Sequence, residues 1–321
     1  MNNHNLTSPH GALCHDGVHK SIILLVCMLL MISCTGSDEP VISPDVISYQ
    51  VETEGSHTRG AQATTSALAS GFGVSAAVYP TAGTYTGYGC GSFFYNVSAR
   101  PNTATGYYWP PADKKASFYA YYPYGNAALT LQSTANTLGV PTYAYTVPEA
   151  VASQVDVMTA QVTDHACGPQ DALALTFGHR CSDIRFSVHN QSHLDMTLKS
   201  ISIYGVKYSG TLTGNIWTLT GSANSSSSHP FTLTLNRTIT AGATVDVTGT
   251  SNHFFMIPQT IASGTALFVI KTMEYGAERT YTHTLSSNYT WEAGNAYTYS
   301  LTLGDGEMIV YGDVTVSNWS N

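Results

Sequence analysis

The stretch ALALTFGHRCSDIRFSVHN, residues 172–190, decides the fold class. Leu173, Leu175 and Phe177 alternate with small or polar residues, and after a polar interruption Ile184, Phe186 and Val188 alternate again. A period of two puts each set on one face of a pleated strand. So long a strand pattern commonly crosses from one sheet or domain to another, which predicts a junction near Cys181. Shorter runs of the same kind lie upstream: DVISYQVE (45–52), GFGVSAAVY (71–79), GSFFYNVS (91–98), KASFYAYYPY (115–124) and TYAYTVP (142–148). Downstream lie KSISIYGVKYSG (199–210), GNIWTLT (214–220), PFTLTLN (230–236), ATVDVTG (243–249), NHFFMIP (252–258), GTALFVIKTMEYG (264–276), RTYTHTLS (279–286), NAYTYSLTL (295–303), EMIVYG (307–312) and VTVSNW (314–319). Gly, Asn, Ser and Pro clusters separate them, and no long helical period intervenes after residue 40. Residues 149–171 read as a loop with a helical turn, and GSANSSSSH (221–229) as an exposed loop. The reading is an all-β chain with enough strands on each side of the junction for one sandwich.

Composition agrees. The chain has 321 residues, which at roughly 150 per domain suggests two domains. Only 10% of the residues are charged, against about a quarter in ordinary globular proteins, and 21 are Tyr. Tyr and the abundant Thr favour half-buried pleated surfaces. The formal net charge is −8 and Lys and Arg form no cluster, so the basic footprint of a nucleic-acid binder is missing.

The amino-terminal region has a separate purpose. SIILLVCMLLMIS (21–33) is an apolar run behind His19-Lys20, too short for a span of about 20 residues but suited to the core of a secretory signal. It ends in Met31-Ile32-Ser33-Cys34, which resembles a bacterial lipobox, with Cys34 the lipidated residue. The acidic Asp38-Glu39 pair that follows resembles the surface-export signal of Bacteroidetes lipoproteins. Beyond Cys34 remain Cys90, Cys167 and Cys181, an odd set that allows one bridge or three buried thiols.

Chemistry-bearing patterns are sparse. No GxSxG elbow, P-loop or strand-to-helix GxGxxG occurs, and the carboxylates are scattered, so no enzyme and no cofactor are expected. Cys167, His179 and Cys181 are the best metal candidates, but their spacing matches no zinc pattern, and His179 reads better as a satisfied histidine at the junction. The run Phe118-Tyr119-Ala120-Tyr121-Tyr122-Pro123-Tyr124 reads better as core packing than as a sugar-stacking platform, which would have one face at most because the other must pack on a core. Trp217, Trp291 and Trp319 read as fillers between sheets.

Taken in order, FGVSAAVY (72–79), ASFYAYYPYG (116–125), DVMTAQV (156–162), LTFGHRCSDIRFSV (175–188), FFMIPQ (254–259) and WEAGNAYTYSLTL (291–303) resemble the fimbrillin family, the Mfa-like and FimA-like pilins of Bacteroidetes. Cys181 departs from the small or aliphatic residue more usual there. The resemblance implies two transthyretin-like Greek-key β-sandwich domains in tandem, expected at 34–180 and 181–321 behind a signal peptide at 1–33. It implies a lipoprotein precursor lipidated at Cys34, delivered to the outer membrane and exposed on the surface. A trypsin-like protease then cuts behind the first strand; Arg59-Gly60, among small polar residues, is the expected bond. Loss of the 45–52 strand opens a groove, which a neighbouring subunit fills by donor-strand exchange. The expected donor is the segment 307–321, through Ile309, Tyr311, Val314 and Val316. The implied function is that of a stalk or tip subunit of a fimbrium, supporting adhesion to a host or bacterial receptor. The alternatives are an anchor subunit that keeps its lipid and a surface glycan-binding lipoprotein.

Overall fold

Residues 43–54, 67–83, 91–133, 139–249, 251–304, 307–310 and 314–319 are described by the computed structural model. The period-two runs form strands throughout, and the chain is all-β. The first sheet runs in the order β1 (Tyr49–Thr53), β8 (Leu173–His179), β7 (Met158–Ala166), β4 (Lys114–Tyr122), β2 (Phe72–Pro80) and β3 (Gly91–Ala99). β1 and β8 pair in parallel; the other neighbours are antiparallel. A second sheet joins β12 (Ile216–Ala223), β11 (Lys207–Thr213), β6 (Thr142–Thr146) and β5 (Leu129–Leu131). The third joins β13 (Phe231–Ile239), β10 (Met196–Ile203), β17 (Ala266–Glu274) and β18 (Ala277–Thr284). The fourth joins β14 (Thr244–Asp246), β9 (Ser182–Asn190), β20 (Asn295–Gly304) and β21 (Glu307–Val310), with β15 (Phe254–Met256) also on β9 and β22 (Thr315–Asn318) also on β20. β16 (Gln259–Ile261) and β19 (Tyr289–Trp291) make a two-stranded ribbon.

The long run at 172–190 breaks at Arg180-Cys181, and its halves enter different sheets. Backbone bonds hold the break: Arg180 N donates to Val157 O at 2.7 Å, and Gly294 N donates to Cys181 O at 3.0 Å. β5 and β6 precede the expected junction and pair with β11, which follows it. Apolar burial divides into two clusters. One holds Ile47, Tyr49, Phe72, Phe118, Leu175 and Phe177 among others. The second, larger cluster includes Tyr121, Tyr143, Ile184, Phe186, Phe254, Phe268 and Trp319.

Two expectations about individual segments are corrected, those for 158–166 and 221–229, while the aromatic run packs in the core as expected. Residues 158–166 form β7, a strand between β4 and β8, not a loop. Only Met158–Ala160 are buried there and the rest of the strand is wetter, so the alternation is weak in the sequence. The aromatic run on β4 has no free face: Phe118, Tyr119, Ala120 and Tyr121 are all buried. Phe118 and Ala120 point into the first cluster, while Tyr121 packs on Tyr143 of β6 with ring centroids 4.8 Å apart. A second layer on the far side of β4 removes the platform. The polar stretch 221–229 likewise contains a buried residue, Asn224, which accepts from Val206 N at 3.0 Å and donates to Ile203 O at 2.9 Å. A side-chain amide there completes the backbone hydrogen bonding of the β10–β11 turn.

Candidate assembly surface

The first strand lies in a slot. On one side Gln170 N donates to Pro44 O at 2.9 Å, Leu173 N donates to Ser48 O at 2.8 Å, and Glu54 N donates to Phe177 O at 2.8 Å. On the other, Ile47 N donates to Tyr107 O, Thr105 N to Ile47 O, Asn102 N to Tyr49 O and Trp109 N to Asp45 O, all at 2.8–3.0 Å. Segment 44–54 is therefore clamped between β8 and the 101–109 stretch. Its side chains anchor it. Ile47 and Tyr49 are fully buried, Ser48 and Thr53 nearly so, Val51 is half-buried, and Asp45, Gln50 and Glu52 face solvent. The Tyr49 ring meets Phe72 and Phe118 edge-on at 5.7 and 6.3 Å. Burial, with Tyr107 nearby, pushes the Tyr49 phenol far up, and among the described residues its Oη has no hydrogen-bond partner. The pocket therefore accepts the ring and does not read the hydroxyl.

At the end of β1, Glu54 faces Arg180 at 3.8 Å. Arg180 is itself held by Thr159, whose Oγ1 accepts from Nε at 2.6 Å and whose carbonyl accepts from Nη2 at 3.2 Å. Next to it, His179 Nδ1 lies 2.8 Å from Asp156 Oδ2. Trp319, the last described residue, stacks on the His179 ring at 4.4 Å and 8°, and on Phe255 at 5.1 Å and 15°. These three rings tie the carboxyl-terminal strand to the junction.

The expected site residues are placed unevenly. Cys34, Arg59, Gly60 and Tyr311 lie outside the described residues. Ile309 lies on β21, opposite Thr302 of β20. Val314 is half-buried against the larger cluster; Val316, opposite Tyr297, is 50% exposed. Within one chain both terminal strands thus lie on β20. Cys167 and Cys181 are buried free thiols in different clusters, so the structure does not bring them together with His179. Burial, with Asp113 nearby, pushes the Cys167 thiol up to about 11, and burial raises Cys181 further. Among the described residues no group of three or more His, Cys, Asp or Glu side chains is placed to hold a metal. Trp291 and Trp319 are buried, and Trp217 is half-buried with its Nε1 donating to Arg180 O at 2.6 Å. Among the described residues no helix is long and apolar enough to cross a membrane.

One charged cluster escaped the sequence reading. Asp183, fully buried, accepts from Arg185 Nε at 2.7 Å, and His253 Nδ1 lies 3.1 Å from its Oδ2. Asp183 and Arg185 stand two apart on β9, a spacing that signals a shared face, but His253 comes from a distant segment and carries no such signal.

The fimbrillin-like family model matches residues 58–319. The chain belongs to the fimbrillin-like family. A curated relative of this fimbrillin-like chain, the fimbrium subunit Fim1C of Phocaeicola vulgatus, is 32% identical over 146 residues. That match spans 40% of this chain and 38% of the relative's own length. The fold is similar to the crystal structure of a fimbrial protein from Bacteroides vulgatus, with a TM-score of 0.60 at 16% identity, covering 85% of this chain and 99% of that one.

Proposed function

We propose that this fimbrillin-like chain is a structural, non-catalytic subunit of a surface fimbria, in its stalk or at its tip. It is made as a lipoprotein anchored through Cys34 to the outer membrane, is cut by a trypsin-like protease after Arg59, and joins its neighbours by donor-strand exchange. The division into tandem sandwich domains near residue 181 belongs to the same reading. The observation that carries it is the slot: β1 is an edge strand hydrogen-bonded on both flanks, and in sequence it is followed by the protease-type Arg59-Gly60 bond. Burying Ile47 and Tyr49 contributes about 1.5–3 kcal/mol each. Departure of the strand strips partners from the amides of Asn102, Thr105, Trp109, Gln170 and Leu173. Of these residues Trp109 and Leu173 are buried, and an unpaired buried backbone group costs about 1–3 kcal/mol, so an emptied slot favours an incoming strand. The segment 307–321, with Ile309, Tyr311, Val314 and Val316, is the proposed donor.

Limited trypsin treatment of the purified precursor tests the cut. Wild type is expected to begin at Gly60 and to form ladders of oligomers, whereas Arg59→Ala keeps β1 and stays monomeric with unchanged melting. Equal ladders from both chains would disprove processing at this bond. In cells, Cys34→Ala is expected to leave an unlipidated precursor that no longer partitions into detergent or sediments with the outer membrane. Unaltered partitioning would remove the lipid from the scheme.

A further inference from the structure

Arg180 is held by partners that do not belong to β1. Its backbone N donates to Val157 O at 2.7 Å, and its carbonyl accepts from Trp217 Nε1 at 2.6 Å. Its Nε and Nη2 donate to Thr159 Oγ1 and Thr159 O, and among the described residues Nη1 makes no hydrogen bond. None of these partners lies on the segment that a cut after Arg59 would release. The Arg180 side chain is 11% exposed, so the guanidinium is largely withdrawn from water. Burial lowers its pKa, and the charge of Glu54 opposes that.

The counter-charge, in contrast, travels with β1. Among the described residues Glu54, at 3.8 Å, is the one carboxylate within 4 Å of Arg180. The opposite strand leaves room for it. A Cβ on Gly178 would collide with the Glu54 carboxylate and stand 2.7 Å from Arg180 Nη2. Gly178 lies inside β8 and has no left-handed φ, so what matters there is the missing side chain and not a turn. A largely buried cation that loses its counter-charge is unfavourable. Departure of β1 therefore turns the corner between Arg180 and Gly178 into an anion site of fixed geometry at one end of the slot. Its ligand chemistry is that of Glu54, a carboxylate carried on an extended strand. The buried ring of Tyr49 lies five residues before Glu54, so one strand must supply both.

We propose that Arg180 is a specificity-determining residue, which selects for the emptied slot a strand carrying Asp or Glu five residues after its aromatic anchor. This rests on the processing and strand-exchange reading and adds the chemistry of the preferred partner. Within 307–321 the acids are Glu307 and Asp313, and the residues five places before them are Thr302 and Met308, neither aromatic. A second copy of this chain thus leaves Arg180 without a carboxylate, and the ladders of the purified chain form without this contact. The preferred occupant is the acid-bearing strand of a different subunit.

An amidated peptide with the sequence of residues 45–54, DVISYQVETE, tests the site, since it holds no Lys or Arg and survives trypsin. Chain cut by trypsin, with the protease then inhibited, is titrated at low salt with the fluorescent peptide and with its Glu54→Gln form. Anisotropy is expected to show the Glu form binding roughly threefold to tenfold tighter, with the gap narrowing as salt rises. In cut Arg180→Met chain the two peptides should bind equally, and Arg180→Lys should restore part of the gap. The Glu form should also suppress ladders of wild type at a lower concentration than the Gln form. Equal binding of the two peptides to wild type, or a gap that survives Arg180→Met, would overturn the anion site while leaving strand exchange intact. Ladders without binding of either peptide would overturn it too. Absence of both ladders and peptide binding would remove the underlying reading as well.

Discussion

Trp319→Ala is expected to lower the melting temperature of the unprocessed chain by roughly 6–20 °C, from about 3–5 kcal/mol for a buried Trp truncation at roughly 2–4 °C per kcal/mol. Trp319 is 3% exposed although it stands two residues from the end of the sequence, and all four residues of β22 just before it are exposed. The strand therefore contributes pairing to β20 but little side-chain burial, and its attachment depends on the stack of His179, Trp319 and Phe255. If the segment donates to a neighbour, that stack must open first. Differential scanning calorimetry checks the size of the effect. A shift under about 2 °C would show that the last strand is already detached in solution, since loss of a packed Trp is not absorbed so cheaply.

Asp183→Ala is expected to cost about 1–3 kcal/mol, because it removes a fully buried carboxylate from two half-buried cationic partners that hydrogen-bond to it. Arg185 and His253 both depend on this carboxylate. The hydrogen bonding also sets a charge state: His253 Nε2 lies 2.7 Å from Gly249 O, an acceptor, so Nε2 donates, and Nδ1 faces a carboxylate. Burial alone would lower the His253 pKa, but the hydrogen bond and charge of Asp183, aided by the Gly249 carbonyl and opposed by Arg185, raise it above the ordinary value. A raised folded-state pKa means stability that is fully present below about 6.5 and is lost as pH rises through the folded-state value. Asp246, the other carboxylate near His253, works in the opposite sense. Although burial raises its pKa, bonds from Gly249 and Thr248 outweigh that and hold it low, so its contribution is lost only in acid. Denaturant melts of wild type between pH 6 and 9 should show falling stability with pH. Asp183→Ala should lower the whole curve and flatten that slope. A variant that melts like wild type, or an unchanged slope, would show that the triad is not an ionised unit.

The all-β class is legible because Leu173, Leu175 and Phe177, then Ile184, Phe186 and Val188, carry a local period that needs no knowledge of neighbours. The same holds for the boundaries of β2, β3 and β4, which lie within two residues of the sequence reading at each end. β7 was not legible, because the strand is specified by its place between β4 and β8 and only Met158–Ala160 carry the apolar signal. Tertiary structure also decided the fate of the aromatic strand. Alternation predicts two faces for Phe118–Tyr122 but cannot say that each face has its own apolar layer, since the residues covering Tyr121 come from β6. Asp183, Arg185 and His253 follow the same rule. A buried charge is tolerable only beside its partner, and that partner arrives from about 70 residues away, by chain topology and not by local pattern.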